Sequence, residues 1–219
     1  MLLFQLFERA PGLIIPWLTA LDAALTIHEF AHALAAYRLG DSTAERAGRL
    51  SLNPLVHLDP MGSLMLLLVG FGWARPVPIN PSLIGRGKFG QFMVSFAGIF
   101  ANIIFALFCL AWLALIFNGW NLSADNYLIK FLAFLVYINI ALFVFNLIPL
   151  APLDGFGILK SFAPELFFKV APFLGRWGFF ILLGLVFFTN VIGFLIVVAV
   201  QVISAPFGLN IFNLAFGGL

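Results

Sequence analysis

Four apolar runs, 13–37, 91–118, 128–148 and 176–203, take up much of this chain, and each is long enough to cross a bilayer as a helix. Hydrocarbon gives a backbone no hydrogen-bond partners, so such runs must be helices that satisfy their own N–H and C=O groups. The few charges fit the same reading. With 63% apolar and 9% charged residues and a mean hydropathy of +1.11, the composition excludes an ordinary water-soluble domain. The expected fold is an all-α polytopic membrane protein. It forms one domain over 1–219, with its core at about 13–160 and a C-terminal span at 176–203. A net charge of +2 gives no reason to expect nucleic acid as a partner. The single Cys109 lies within an apolar run and can make no disulfide within the chain. The N-terminal MLLFQLFERAPG has its charges after its apolar residues and lacks a small-residue cleavage pattern. It reads as a surface amphipathic segment rather than a signal peptide.

The connections differ in character. Arg49-Leu50-Ser51-Leu52 alternates with period two between Gly48 and Asn53-Pro54, and Pro76, Pro78 and Pro81 enforce an extended ladder. A small β-hairpin or strand region is therefore expected over about 46–60 and 75–80. Residues 61–73 are apolar but too few for a full span, so a short re-entrant or interfacial segment is expected. Residues 156–175, with Lys160, Glu165, Lys169 and two prolines, suit an interfacial stretch, as does the uncharged tail after Pro206. Arg38, Arg46, Arg49, Arg75, Arg86 and Lys88 fall in the 38–90 connection; Lys160, Lys169 and Arg176 fall in 151–176. The 119–127 loop and the tail carry no Lys or Arg, and only Lys130 dissents. The bias of basic residues then puts both termini outside and the two basic connections in the cytoplasm.

Within the first run stands His28-Glu29-Phe30-Ala31-His32, HEFAH. Histidines four apart share a helix face and can reach one metal, and the Glu between them is the usual general base of a zinc hydrolase. Keeping two imidazoles and a carboxylate in hydrocarbon without partners costs several kcal/mol, which disfavours a chance polar cluster. A hydrolytic zinc site needs a third protein ligand and an open position. Asp22 sits six residues before His28, nearly on the opposite face, and Asp125 belongs to the outer loop. His57, Asp59 and Asp154 remain. Asp154 follows a proline-broken helix end on the same side and at the same depth as the histidines, so placement favours it over the other two. For His57 a structural hydrogen bond is the simpler reading. Asn139 and Asn146 lie seven apart, nearly on one face. Bonding between helices is the ordinary role for Asn139, and Asn146 stands evenly between that role and one in the site.

HEFAH in an apolar helix, followed by GDSTAERAGRLSLNPLVHLDPMGSL, WARPVPINP, AGIFAN and NLIPLAPLDG, resembles the bacterial site-2 protease family of intramembrane zinc metalloproteases. The likeness covers roughly 20–160 and is greatest to the short subgroup without a PDZ domain. Ile99 and Ser42 stand where prolines are usual in that family. The resemblance implies hydrolysis of peptide bonds in or near transmembrane segments, that is, regulated intramembrane proteolysis. It implies one Zn²⁺ per chain held by His28, His32 and Asp154, with Glu29 activating water and Asn146 orienting that water or steadying the oxyanion. Membrane-anchored substrates follow from it, either single-span regulators such as anti-sigma factors or remnant signal peptides. So does a place in the bacterial inner membrane with the site toward the cytoplasm. GRLSLNP and RPVPINP offer a strand edge on which an unwound substrate could pair. The alternative is a silent scaffold that binds helices without cutting, but such a protein has no need of Glu29. A zinc transporter would carry polar residues along its whole depth. The sequence assigns no oligomeric state.

Overall fold

Proline at position 16 falls in the first turn of helix α1 (Ile14–Arg38), where it has no intrahelical bond to lose. This computed structural model describes residues 6, 8–120 and 122–217. The amphipathic reading of MLLFQLFERAPG falls mostly outside the described residues, as do the last two residues of the tail. Along α1, Ala20, Ala24, His28, His32 and Ala36 recur at intervals of four and are all buried. Small residues on such a stripe let neighbouring helices approach closely. The neighbours are α3 (Gly87–Trp120) and α4 (Tyr127–Asn146), which share a core with α1 through Ala106, Leu110, Leu113, Ala133, Phe134 and Val136. At 1.5 Å per residue α3 is about 51 Å long, well beyond the roughly 30 Å of hydrocarbon it must cross.

Between α1 and α3 the chain makes a compact excursion. Helix α2 (Pro60–Val69) starts where the Asp59 carboxylate accepts from Gly62 N–H at 2.7 Å, and it stops at Gly70, which has a left-handed φ of 73°. Ten residues cannot span a bilayer. The returning chain lies so close that a Cβ on Gly62 would sit 2.1 Å from Trp73 O. The expected β-hairpin is not there: the described residues contain no strand, only an isolated antiparallel bridge between Leu58 and Ala74. Residues 43–46 form one helical turn instead, and Asn53 caps a 3₁₀ turn at Pro54–Val56. Pro76, Pro78 and Pro81 keep the returning chain extended but remove the donors a ladder needs. The alternation at Arg49–Leu52 therefore has no partner strand to pair with.

Asp41 ties this excursion to the end of α1. Its fully buried carboxylate accepts from Thr43 N–H and Oγ1 at 2.9 and 2.5 Å and from Asn80 N–H at 2.6 Å. Burial pushes this carboxyl up, but the bonds from Thr43 and Asn80, with Arg46 nearby, outweigh it and hold the group below its ordinary range. Since the folded pKa lies below the unfolded one, the stabilisation is complete above about pH 4 and is lost as pH falls through the folded value. Asp41→Ala is expected to cost about 1–3 kcal/mol by orphaning buried donors. Faster proteolysis within 42–84 at pH 7, no longer increased by acid, would report it.

The C-terminal third departs from expectation in two ways. Helix α5 (Asp154–Phe162) leads directly into α6 (Pro164–Phe188), and α6, not 176–203, is the fourth helix long and apolar enough to cross a membrane. Pro164 sits harmlessly in the first turn, and Pro172 is carried inside the helix, as membrane helices allow. The break comes later. Thr189 is extended and donates through Oγ1 to Leu185 O at 2.7 Å, which separates α6 from the shorter α7 (Val191–Ser204). The tail is also not superficial. In α8 (Ile211–Phe216), Ile211, Leu214 and Ala215 are buried, and Phe212 and Phe216 pack on Tyr137 of α4. Buried Lys130 donates to Gly217 O at 3.0 Å and lies 3.4 Å from Asp125. That dissenting cation is thus matched by the tail and the outer loop.

Candidate metal centre

The two Nε2 atoms of His28 and His32 lie 3.1 Å apart on α1, and each is 3.1 Å from Asp154 Oδ2. Asp154 arrives from another direction. After α4 ends at Asn146, Pro149 and Pro152 prevent the helix from continuing, and the chain folds through bonds from Leu150 N–H to Ile148 O and from Leu153 N–H to Leu150 O. Gly155 fits beneath this turn, where a Cβ would stand 2.4 Å from Ile148 O. Asp154 then opens α5, and a carboxylate is favoured at a helix N-terminus.

Helix α3 backs the site. His32 Nδ1 donates to Val94 O at 2.7 Å, and His28 Nδ1 bonds Asn102 Oδ1 at 2.6 Å. Asn102 turns its oxygen to His28 because its Nδ2 donates to Ala24 O and Asn139 Oδ1, at 3.2 and 2.8 Å. Both Nδ1 atoms therefore carry the proton, and both Nε2 atoms present lone pairs. Two nitrogen lone pairs and a carboxylate oxygen facing one another at 3.1 Å repel unless a cation lies among them. A tetrahedral zinc with N and O ligands at about 2.0–2.1 Å has ligand-to-ligand edges of about 3.3 Å, close to this triangle. Between Val94 and Asn102, Gly98 leaves the room required: a Cβ there would stand 2.4 Å from His32 Nε2 and 2.7 Å from His28 Cε1. The residues fit a zinc ion. Gly98→Ala is expected to lower zinc affinity at least about 10-fold in chelator competition, with helix content unchanged. Undiminished affinity would show that α3 can withdraw from the site.

Glu29 lies beside this triad. Its Oε2 accepts from Val77 N–H at 3.0 Å, so the Pro-rich extended stretch positions the carboxylate. Glu29, the triad and Asn146 line one cavity of about 600 Å³, walled by Phe71, Trp73, Phe145 and Phe179. Asn146 donates through Nδ2 to Leu142 O at 3.1 Å, which leaves its second amide hydrogen unused.

Among the described residues His28, His32 and Asp154 are the one group of three possible ligands that converges. The other sequence candidates serve elsewhere. His57 is buried and donates through Nε2 to Ser51 O at 2.7 Å, Asp59 caps α2, and Asp125 sits by Lys130. Asn139 bonds Leu135 O and Asn102 within the helix bundle. Sequence reasoning missed the parts played by Val77, Val94, Gly98 and Asn102. A signal existed for three of them: 94, 98 and 102 repeat every four residues, the period of the histidines they support.

Comparison with known proteins agrees with this geometry. The pattern of peptidase family M50 matches residues 114–185, a stretch containing Asn146 and Asp154. The chain is 40% identical over 162 residues to "Putative zinc metalloprotease YwhC" of Bacillus subtilis, covering 72% of this chain and 74% of that protein. It is 34% identical over 170 residues to "Putative zinc metalloprotease Rip2" of Mycolicibacterium smegmatis, covering 74% of this chain and 62% of that one. The Mycobacterium tuberculosis protein of the same name is 31% identical over 166 residues, 73% of this chain and 60% of its own length. No solved structure matches. The chain belongs to peptidase family M50, the family of the site-2 proteases, and it is a zinc metalloprotease.

Proposed function

We propose that this protein hydrolyses peptide bonds in or near the transmembrane segments of membrane-anchored substrates, with His28, His32 and Asp154 holding one zinc and Glu29 moving the proton. The observation that carries this reading is the placement of the triad among helices long and apolar enough to cross a membrane, at a cavity walled by aromatic side chains. Bound zinc would supply a Lewis acid and acidify a water toward neutral pH. Glu29 takes the proton of the attacking water and can return it to the leaving amine. Val77 N–H fixes one Glu29 oxygen, so the base is held in place before substrate arrives. The unused amide hydrogen of Asn146 is available to the oxygen that gains charge on the scissile carbonyl. A helical substrate hides its carbonyls in hydrogen bonds, so the cleaved segment must unwind to enter the cavity.

The proposed setting is a bacterial inner membrane with the site toward the cytoplasm, on the strength of the basic residues in 38–90 and 151–176. Cysteines placed in 40–60 and 156–170 should react from the same side; opposite sides would overturn this orientation. Single-span regulators and remnant signal peptides are the proposed substrates. Comparative proteomics of membrane fractions from cells with the wild type or Glu29→Gln tests the substrate class. Intact single-span proteins or signal-peptide remnants should accumulate with the variant. Identical membrane fractions would argue against the reading.

A further inference from the structure

Asn102 and Asn139 are fully buried in the membrane-spanning bundle, and their bonds run in one direction. Leu135 O can only accept, so Asn139 must turn its Nδ2 toward it, at 2.8 Å, and its Oδ1 toward Asn102. That oxygen and Ala24 O both demand a donor, so Asn102 presents Nδ2 to them and Oδ1 to His28 Nδ1. Two backbone carbonyls thus fix the orientation of both amides. We propose that Asn102, anchored by Ala24 O and by Asn139, is a positioning residue that locks His28 in the tautomer whose Nε2 faces the metal. The inference rests on His28 being a zinc ligand and adds a role for residues outside the ligand set.

The assignment separates two jobs that one amide performs. Its donor side joins α3 to α1 and α4, which is packing. Its acceptor side holds the imidazole. Asn102→Leu removes both, whereas Asn102→Asp keeps an acceptor facing Nδ1 and abandons the donor. An added carboxylate there is tolerable because zinc brings two positive charges against the single negative charge of Asp154.

The test uses the full-length protein in detergent, with zinc affinity from chelator competition and the visible spectrum of the cobalt-substituted form. Asn102→Leu should lose about 10–100-fold in zinc affinity and alter the cobalt spectrum, and Asn102→Asp should recover most of both. Asn139→Leu should have a smaller effect, since Ala24 O still orients Asn102. Unchanged affinity and spectrum in Asn102→Leu would overturn the proposal. So would equal losses in the Leu and Asp variants, which would assign Asn102 to helix packing alone. If Asn102→Leu does not fold, nitrogen-15 histidine spectra of the wild-type zinc protein decide. A proton on His28 Nδ1 supports the assignment, and a proton on Nε2 overturns it. His28→Ala separates the two readings: full zinc retention in that variant would refute the ligand assignment itself.

Discussion

Glu29→Gln is expected to keep about one zinc per chain and to lose cleavage by about 10²–10⁴-fold, the range for a missing general base. The substitution is nearly isosteric, and glutamine keeps a carbonyl oxygen that can accept from Val77 N–H where Glu29 Oε2 accepts now. Nothing in the ligand triangle touches that change, so the metal should stay while the proton acceptor is lost. The check pairs metal analysis of the purified variant with cleavage of a single-span reporter in reconstituted vesicles. Cleavage within about threefold of wild type would remove Glu29 from the chemistry. Loss of zinc together with activity would instead make Glu29 part of the metal's support.

Asp154→Ala should have the larger effect on the metal. It removes one corner of the 3.1 Å triangle and the only negative charge among the three ligands, leaving two neutral imidazoles. Zinc content should fall well below one per chain and activity should vanish. The loss in affinity should exceed the roughly 10–100-fold typical of a missing outer-shell partner. Thermal stabilisation by added zinc should shrink with it, because binding stabilises only the state that holds the ligand. A variant still carrying one zinc would place the third ligand elsewhere. His57 and Asp59, the other candidates by sequence, are engaged with Ser51 O and with the cap of α2.

The parts of the site that could be read in the sequence were those governed by local periods and by charge. Histidines four apart on a helix need no tertiary knowledge, and the bias of basic residues set Asp154 at their depth. The support from α3 was not legible in the same way. Val94 contributes only a backbone carbonyl, which no side-chain pattern reveals, and Gly98 matters for an atom it lacks. Asn102 looks like ordinary helix packing until its partner is known. The strand expectation failed because alternation at Arg49–Leu52 is local, whereas pairing needs a second segment with free donors, and three prolines had removed them. The last span was misplaced because Pro172 reads as a stop but is carried within α6, while the Thr189 side chain that ends α6 gives little signal.

The bond from Val77 to Glu29 has a consequence for any peptide laid beside the extended stretch. Pro76 and Pro78 have no N–H, and the N–H of Val77 is already given to the base. Over these three residues the wall is electrically one-sided, a row of carbonyls with nothing to donate. A visiting backbone can be held there only through its own N–H groups, the groups a helix must release in order to unwind. The segment that steadies the base would thus favour a chain that has already come undone.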